Sequence, residues 1–251
     1  MINYLNAENN RFLKSKTFHI TNLVLLLLII AGTTAVYISS GQAPENASPT
    51  PADVYFRITL GMVTMIIFVN IIYASVLNSK DLNTIPLALQ NGVSRREIYI
   101  TKLIIILFYI LVTEAVFMGI IVAFSELLFK SGDMKLLSRF IFSYLNLLPM
   151  IISSLVLTYV LIVNKVKEIF ATGLVFLLFG GPLKFLILMI GNIYPDVLKI
   201  MPYTPTYIIE KTILMIAFDK VGFYKESYLV GLVITVLCLG ISYNIFVKRD
   251  F

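Results

Sequence analysis

The sequence predicts an all-α, polytopic membrane protein with six spans, and three observations carry that expectation. Of its 251 residues, 59% are hydrophobic and only 14% charged, at a mean hydropathy of +0.90. Soluble domains lie nearer roughly 45–50% apolar and about 25% charged, so a water-soluble fold cannot hide this much apolar side chain. The charges also cluster, and the uncharged runs between them approach the length of about 20 residues that a helix needs to cross a bilayer core. Residues 1–251 therefore read as a single transmembrane domain.

Because a charge at the bilayer centre costs at least about 2.5–3.5 kcal/mol, the gaps between charges locate the spans in order. Residues 1–18, containing AENNRFLKSKTFHI, read as an N-terminal interfacial helix. Residues 17–44 carry no charge and hold a first span over 19–40. The segment GQAPENASPTPADV (41–54) is rich in proline and small polar residues and reads as a loop. A second span is expected over 56–78, a third over 103–125 with Glu114 as its sole charge, and a fourth over 143–164. The fifth, 168–183, is short, because Glu168 and Lys184 leave only 15 uncharged residues between them. Gly180, Gly181 and Pro182 mark a break there. Residues 184–218, punctuated by Pro195, Pro202 and Pro205, then read as a re-entrant outer hairpin, a candidate lining for a path. A sixth span covers 226–247.

Lysine and arginine set the orientation. Arg11, Lys14, Lys16, Lys80, Arg95, Arg96, Lys102, Lys165, Lys167, Lys248 and Arg249 fall in the 53 residues of one side, against nine such residues in the 77 of the other. The positive-inside rule then puts both termini in the cytoplasm. The net charge of +6 serves topology rather than nucleic-acid binding. One cysteine, Cys238, and one histidine, His19, leave no disulfide framework, no zinc cluster and little histidine chemistry. An intramembrane hydrolase would need a Ser–His pair, a pair of membrane aspartates or a zinc site, and one histidine at the membrane edge with no intramembrane aspartate argues against it. No cofactor or metal is expected on this chain. The first apolar run exceeds a signal-peptide core and is expected to persist in the mature protein.

The loop NSKDLNTIPLALQNGVSRREIYITK (78–102) is the most informative stretch. Leu82, Ile85, Leu89 and Val93 recur at spacings of three and four, while Asp81, Asn83, Thr84 and Gln90 face elsewhere. Asn91-Gly92 is a stop signal, and Ser94 with Glu97 forms a capping box for the next helix. A short helix across the cytoplasmic mouth follows, or else a lipid-facing amphipathic helix with no partner. Arg95, Arg96 and Lys102 are expected at the headgroup level, meeting anionic lipid. Glu114, an ionisable group in mid-membrane, is either functional or hydrogen-bonded to a neighbouring helix. Asn70 and Tyr73 on the second span are helix-to-helix hydrogen-bond partners or contacts on a translocation path. Tyr194, Tyr203, Tyr207 and Phe223 form an interfacial belt or a gate, and Lys184 snorkels or pairs within the hairpin.

The run Gly92-Val93-Ser94-Arg95, Lys102 at the head of the third span, the acidic-then-basic segment 7–20, and the short fifth span with its hairpin resemble the permease subunits of type 2 ABC exporters. Among small permeases the chain is most similar to bacterial exporters of bacteriocins, lantibiotics or amphipathic peptide toxins. The resemblance implies a coupling helix over 81–92, with Asp81, Leu82, Ile85, Leu89, Asn91, Gly92, Ser94 and Arg95 engaging an ATPase. It also implies a path touching Asn70, Tyr73, Glu114, Gly180, Gly181 and Pro182. No G-x-x-x-x-G-K-[ST] loop occurs in the chain, so ATP and magnesium belong on two copies of a separate ATPase subunit. A second permease chain, identical or not, and membrane lipid are further expected partners, at the bacterial plasma membrane. The rival readings are a substrate-binding subunit of an energy-coupled vitamin uptake system and a non-transporting immunity protein.

Overall fold

In a computed structural model the described residues are 2–40, 50–78, 85–129, 134–216 and 222–248, and their elements are all helical. Helix α1 (Ile2–Leu13) precedes α2 (Lys16–Ser40); α3 (Pro51–Val63) and α4 (Ile66–Asn78) follow, then the short α5 (Ile85–Gln90). Next come α6 (Arg95–Phe129), α7 (Met134–Val163), α8 (Glu168–Phe179) and α9 (Pro182–Gly191). A 3₁₀ segment (Pro195–Tyr203), α10 (Pro205–Met215) and α11 (Lys225–Lys248) complete the chain.

Five stretches are long and apolar enough to cross a bilayer, counting α3 and α4 as one, and six if the bent pair α8–α9 is one span. This is the make-up of a multi-pass membrane protein. The outer surface agrees: α2 exposes Leu23 and Leu27, and α11 exposes Leu232 and Ile241, each by more than half. Water does not tolerate so continuous an apolar coat, whereas lipid does. The core sits around α7, whose face from Leu136 to Val163 is buried against α4, α8, α10 and α11. The end of the bundle where α2, α6 and α8 begin and α4, α7 and α11 finish is called the basic end below.

Several boundaries differ from expectation. The interfacial helix ends at Leu13 instead of 18, and α2 begins at Lys16 rather than residue 19. His19 marks the corner, its Nε2–H donating to the Leu13 carbonyl at 2.6 Å. The expected loop 41–54 gives way to helix at Pro51, because Thr50 and Asp53 make a capping box with proline at the first helical position. Residues 41–49 lie outside the described residues. The second span covers Pro51–Val76 rather than 56–78 and is made of two helices, α3 and α4. Thr64 Oγ1 donates back to the Gly61 carbonyl at 2.6 Å, and Met65 N–H donates to the Met62 carbonyl in a tight i to i+3 turn. The third and fourth helices run well beyond 103–125 and 143–164 toward their N-terminal ends. The fifth span stops at Phe179 rather than 183, and the chain turns by 50° into α9. Gly181, at φ +114, makes that turn, and Pro182 starts the next helix. The segment expected as a hairpin over 184–218 is thus α9, the 3₁₀ segment and α10, and it begins at Pro182. The sixth helix, Lys225–Lys248, extends one residue past 226–247 at either end.

Candidate functional site

At the basic end, α5 stops as its sequence suggests. Val93 N bonds the Ala88 carbonyl and Gly92 N the Leu89 carbonyl, both at 3.0 Å, with Gly92 at φ +82. This is the paired-bond stop that a left-handed glycine permits. Ser94 Oγ then accepts from Glu97 N at 3.2 Å and Ser94 N donates to Glu97 Oε2 at 3.1 Å, starting α6. Ile85 is buried with Ile98, Tyr99, Val156, Tyr159 and Phe246, and Leu89 packs partly against the same cluster. Leu87 instead stands out, 57% exposed, beside exposed Gln90 and Asn91. Asp81 and Leu82 lie outside the described residues.

The head of α6, which follows this short helix, is tied to the bundle at two further points. Arg95 Nη1 donates to the Val247 carbonyl at 2.8 Å, joining the head of α6 to the end of α11. The Tyr159 hydroxyl donates to the Tyr99 carbonyl at 2.6 Å, and the Tyr99 ring lies 5.4 Å from that of Phe246.

Lys102, expected to meet anionic lipid, faces the protein interior instead. It is fully buried, with Nζ 3.6 Å from Glu8 of α1, and Glu8 also holds Arg11. Asn9 accepts from the Tyr109 hydroxyl at 2.6 Å. The acid and amide of α1 therefore dock it on α6, and the lysine serves this joint instead of lipid. Burial, and then the Glu8 carboxylate beside it, push the Tyr4 phenol above its ordinary range.

The path candidates fall into two groups that share no hydrogen bond among the described residues. Asn70 Nδ2 donates to the Ile151 carbonyl at 2.9 Å and to Ser154 Oγ at 2.7 Å. Tyr73 donates to Asn22 Oδ1 at 2.5 Å. Glu114 is buried on α6, its carboxylate against the Tyr144 hydroxyl. The second group, Gly180, Gly181 and Pro182, forms the α8–α9 bend. A Cβ on Gly180 would lie 2.7 Å from the Phe176 carbonyl oxygen, and nearby Thr206 donates to the Leu178 carbonyl at 3.2 Å. Lys184 pairs with Glu210 of α10.

Tyr144, Asn22 and Glu8 escaped the sequence reading. Each sits more than 25 positions from its partner, and nothing in periodicity links them. Among the described residues no three His, Cys, Asp or Glu side chains gather as metal ligands do. Comparison with family models, with curated proteins and with solved structures finds no match.

Proposed function

We propose that the protein is the membrane-spanning permease subunit of an ATP-driven exporter of the ABC type, powered by a separate ATPase. On this reading it moves an amphipathic or hydrophobic substrate, such as an antimicrobial peptide, out of a bacterial cell. The observation that supports it best is α5. A short helix ends in a left-handed glycine stop, is buried on one side by Ile85 and runs straight into α6, whose Arg95 is tied to the last span, while a bare leucine is turned outward. A lipid-facing helix has no need of so stiff a mounting. A lever has, because force applied at Leu87 reaches α6 and α11 only if the joint does not yield. The basic end then faces the cytoplasm, where the ATPase and its nucleotide are found, and a second permease chain completes the path.

This reading moves the point of contact to Leu87, which lies on the expected coupling helix but outside the eight residues expected to engage the ATPase. Ile85 and Leu89 anchor the helix and Leu87 meets the partner. Leu87→Asp is expected to leave folding unchanged and to weaken capture of the partner ATPase by about tenfold or more, as loss of a central apolar anchor does. Ile85→Asp, by contrast, is expected to destabilise the protein itself. Pull-down of the two variants with that ATPase, alongside thermal melts in detergent, checks both. Full capture by Leu87→Asp would remove α5 as the contact.

A further inference from the structure

Between α2, α4 and α8 at the basic end lies a crevice of about 380 Å³, within the size range of small-molecule sites. Its walls are divided by chemistry. Ile71, Ile72, Val76 and Ile169 form an apolar side. Ser15, Thr17, Ser75 and Thr172 bring hydroxyls, and Glu168 is the one charged residue in the lining. One turn deeper, the rings of Phe68 and Phe176 meet at 6.2 Å, and Ala171 and Val175 are buried. The crevice is therefore open toward the basic end and blocked toward the bundle centre.

We propose that this crevice binds a lipophilic cation, with the Glu168 carboxylate taking the charge and the isoleucine wall taking the apolar body. Three features carry the assignment. No hydrogen bond or ion pair engages the Glu168 carboxylate among the described residues, although the surrounding surface is basic. Ser75 Oγ is buried in the lining and has no hydrogen-bond partner, a hydroxyl left free to accept or to donate. Thr172 Oγ1 spends its proton on the Glu168 main-chain carbonyl at 2.8 Å, so its lone pairs also face the space as acceptors. An acid with open acceptors favours a cation. Lys16 and Lys167 neighbour these residues in sequence, are exposed, and do not line the crevice. An amphiphile partitioned into the adjoining leaflet would reach the site with its charge at headgroup depth. The inference rests on the exporter reading only in making this ligand class the cargo.

The test uses the full chain in phosphatidylcholine nanodiscs and two ions of one shape, tetraphenylphosphonium and tetraphenylborate. Equilibrium binding is expected to be saturable for the cation and at least about tenfold weaker for the anion. Glu168→Gln is expected to weaken the cation about three- to tenfold, the range for a partly exposed ion pair. Asp196→Asn, remote on the 3₁₀ segment, is expected to change nothing. Thr172→Trp, which fills the crevice, is expected to abolish binding, and covers the case in which Glu168→Gln folds poorly. Equal binding of the two ions, or cation binding unchanged by both crevice variants, would overturn the proposal. No ATPase is present in this assay, so its failure leaves the exporter reading standing, and failed ATPase capture leaves the crevice standing.

Discussion

Glu114 enters the bundle interior with Oε2 against the Tyr144 hydroxyl and with Oε1 lacking a hydrogen-bond partner among the described residues. The same hydroxyl lies 2.9 Å from the Glu114 main-chain carbonyl, so one tyrosine serves both oxygens that α6 presents. Tyr144→Phe removes that donor and is expected to cost about 1 kcal/mol, the scale of interhelical hydrogen bonds in membranes, measured by unfolding in mixed detergent. Glu114→Gln keeps an acceptor for Tyr144 and is expected to fold as the parent does while altering the export rate. Unchanged export by Glu114→Gln would leave the residue with its hydrogen-bonding role alone. Burial of such a group in a low-dielectric interior is costly enough that a purely structural glutamate is a poor substitute for glutamine. That the residue sits within a long apolar helix was legible from sequence. Its partner was not, because Tyr144 is one of 14 tyrosines and only the crossing of α6 and α7 selects it.

At the scale of elements, the seam between α7 and α11 does most to hold the bundle. Pro149 inside α7 has no N–H, which frees the Leu145 carbonyl one turn earlier. The Tyr228 hydroxyl of α11 donates to that carbonyl at 3.2 Å. Next to it, the Asn146 amide spans the gap to the start of α11, giving Nδ2–H to the Gly222 carbonyl and taking Tyr224 N–H, each at 2.9 Å. Gly231 then lets the two backbones close, since a Cβ there would stand 2.8 Å from the Pro149 carbonyl oxygen. Gly231→Ala is expected to cost about 1–3 kcal/mol through forced separation of the helices. Tyr228→Phe is expected to cost less, about 0.6–1.7 kcal/mol. Thermal melts of the purified variants rank them, and equal stability of Gly231→Ala and parent would refute the close approach.

Helix existence was readable in this chain because lipid penalises charge, and helix length was not. α6 has 35 residues, which at 1.5 Å each is about 52 Å, far more than a core of about 30 Å. Hydropathy finds the part inside the membrane, whereas the turns from Arg95 to Lys102 are held by Val247, Tyr159 and Glu8. The broken second span was hidden for a different reason. It carries no proline at the break, and the Thr64 back-bond that accompanies it looks in sequence like any threonine. The α8–α9 bend, by contrast, was announced by Gly180-Gly181-Pro182, where left-handed backbone and a proline start leave little choice.

The whole molecule joins three parts: an apolar coat suited to lipid, a basic end braced by α1 and α11, and α5 packed on it with Leu87 outward. The brace matters because a lever transmits force only through a joint stiffer than its load. The Glu8–Lys102 pair and the Arg95–Val247 bond hold the first turns of α6, against which Ile85 of α5 packs. If both hold, a push on α5 moves α6 and α11 together instead of bending the loop. The most direct measurement places a photocrosslinking amino acid at position 87 in living cells and identifies what is captured. The account predicts a covalent adduct with an ATPase that carries a phosphate-binding loop, and loss of that adduct when the same label is moved to the buried position 85. Recovery of lipid adducts alone from position 87, in cells that make that ATPase and export normally, would contradict it.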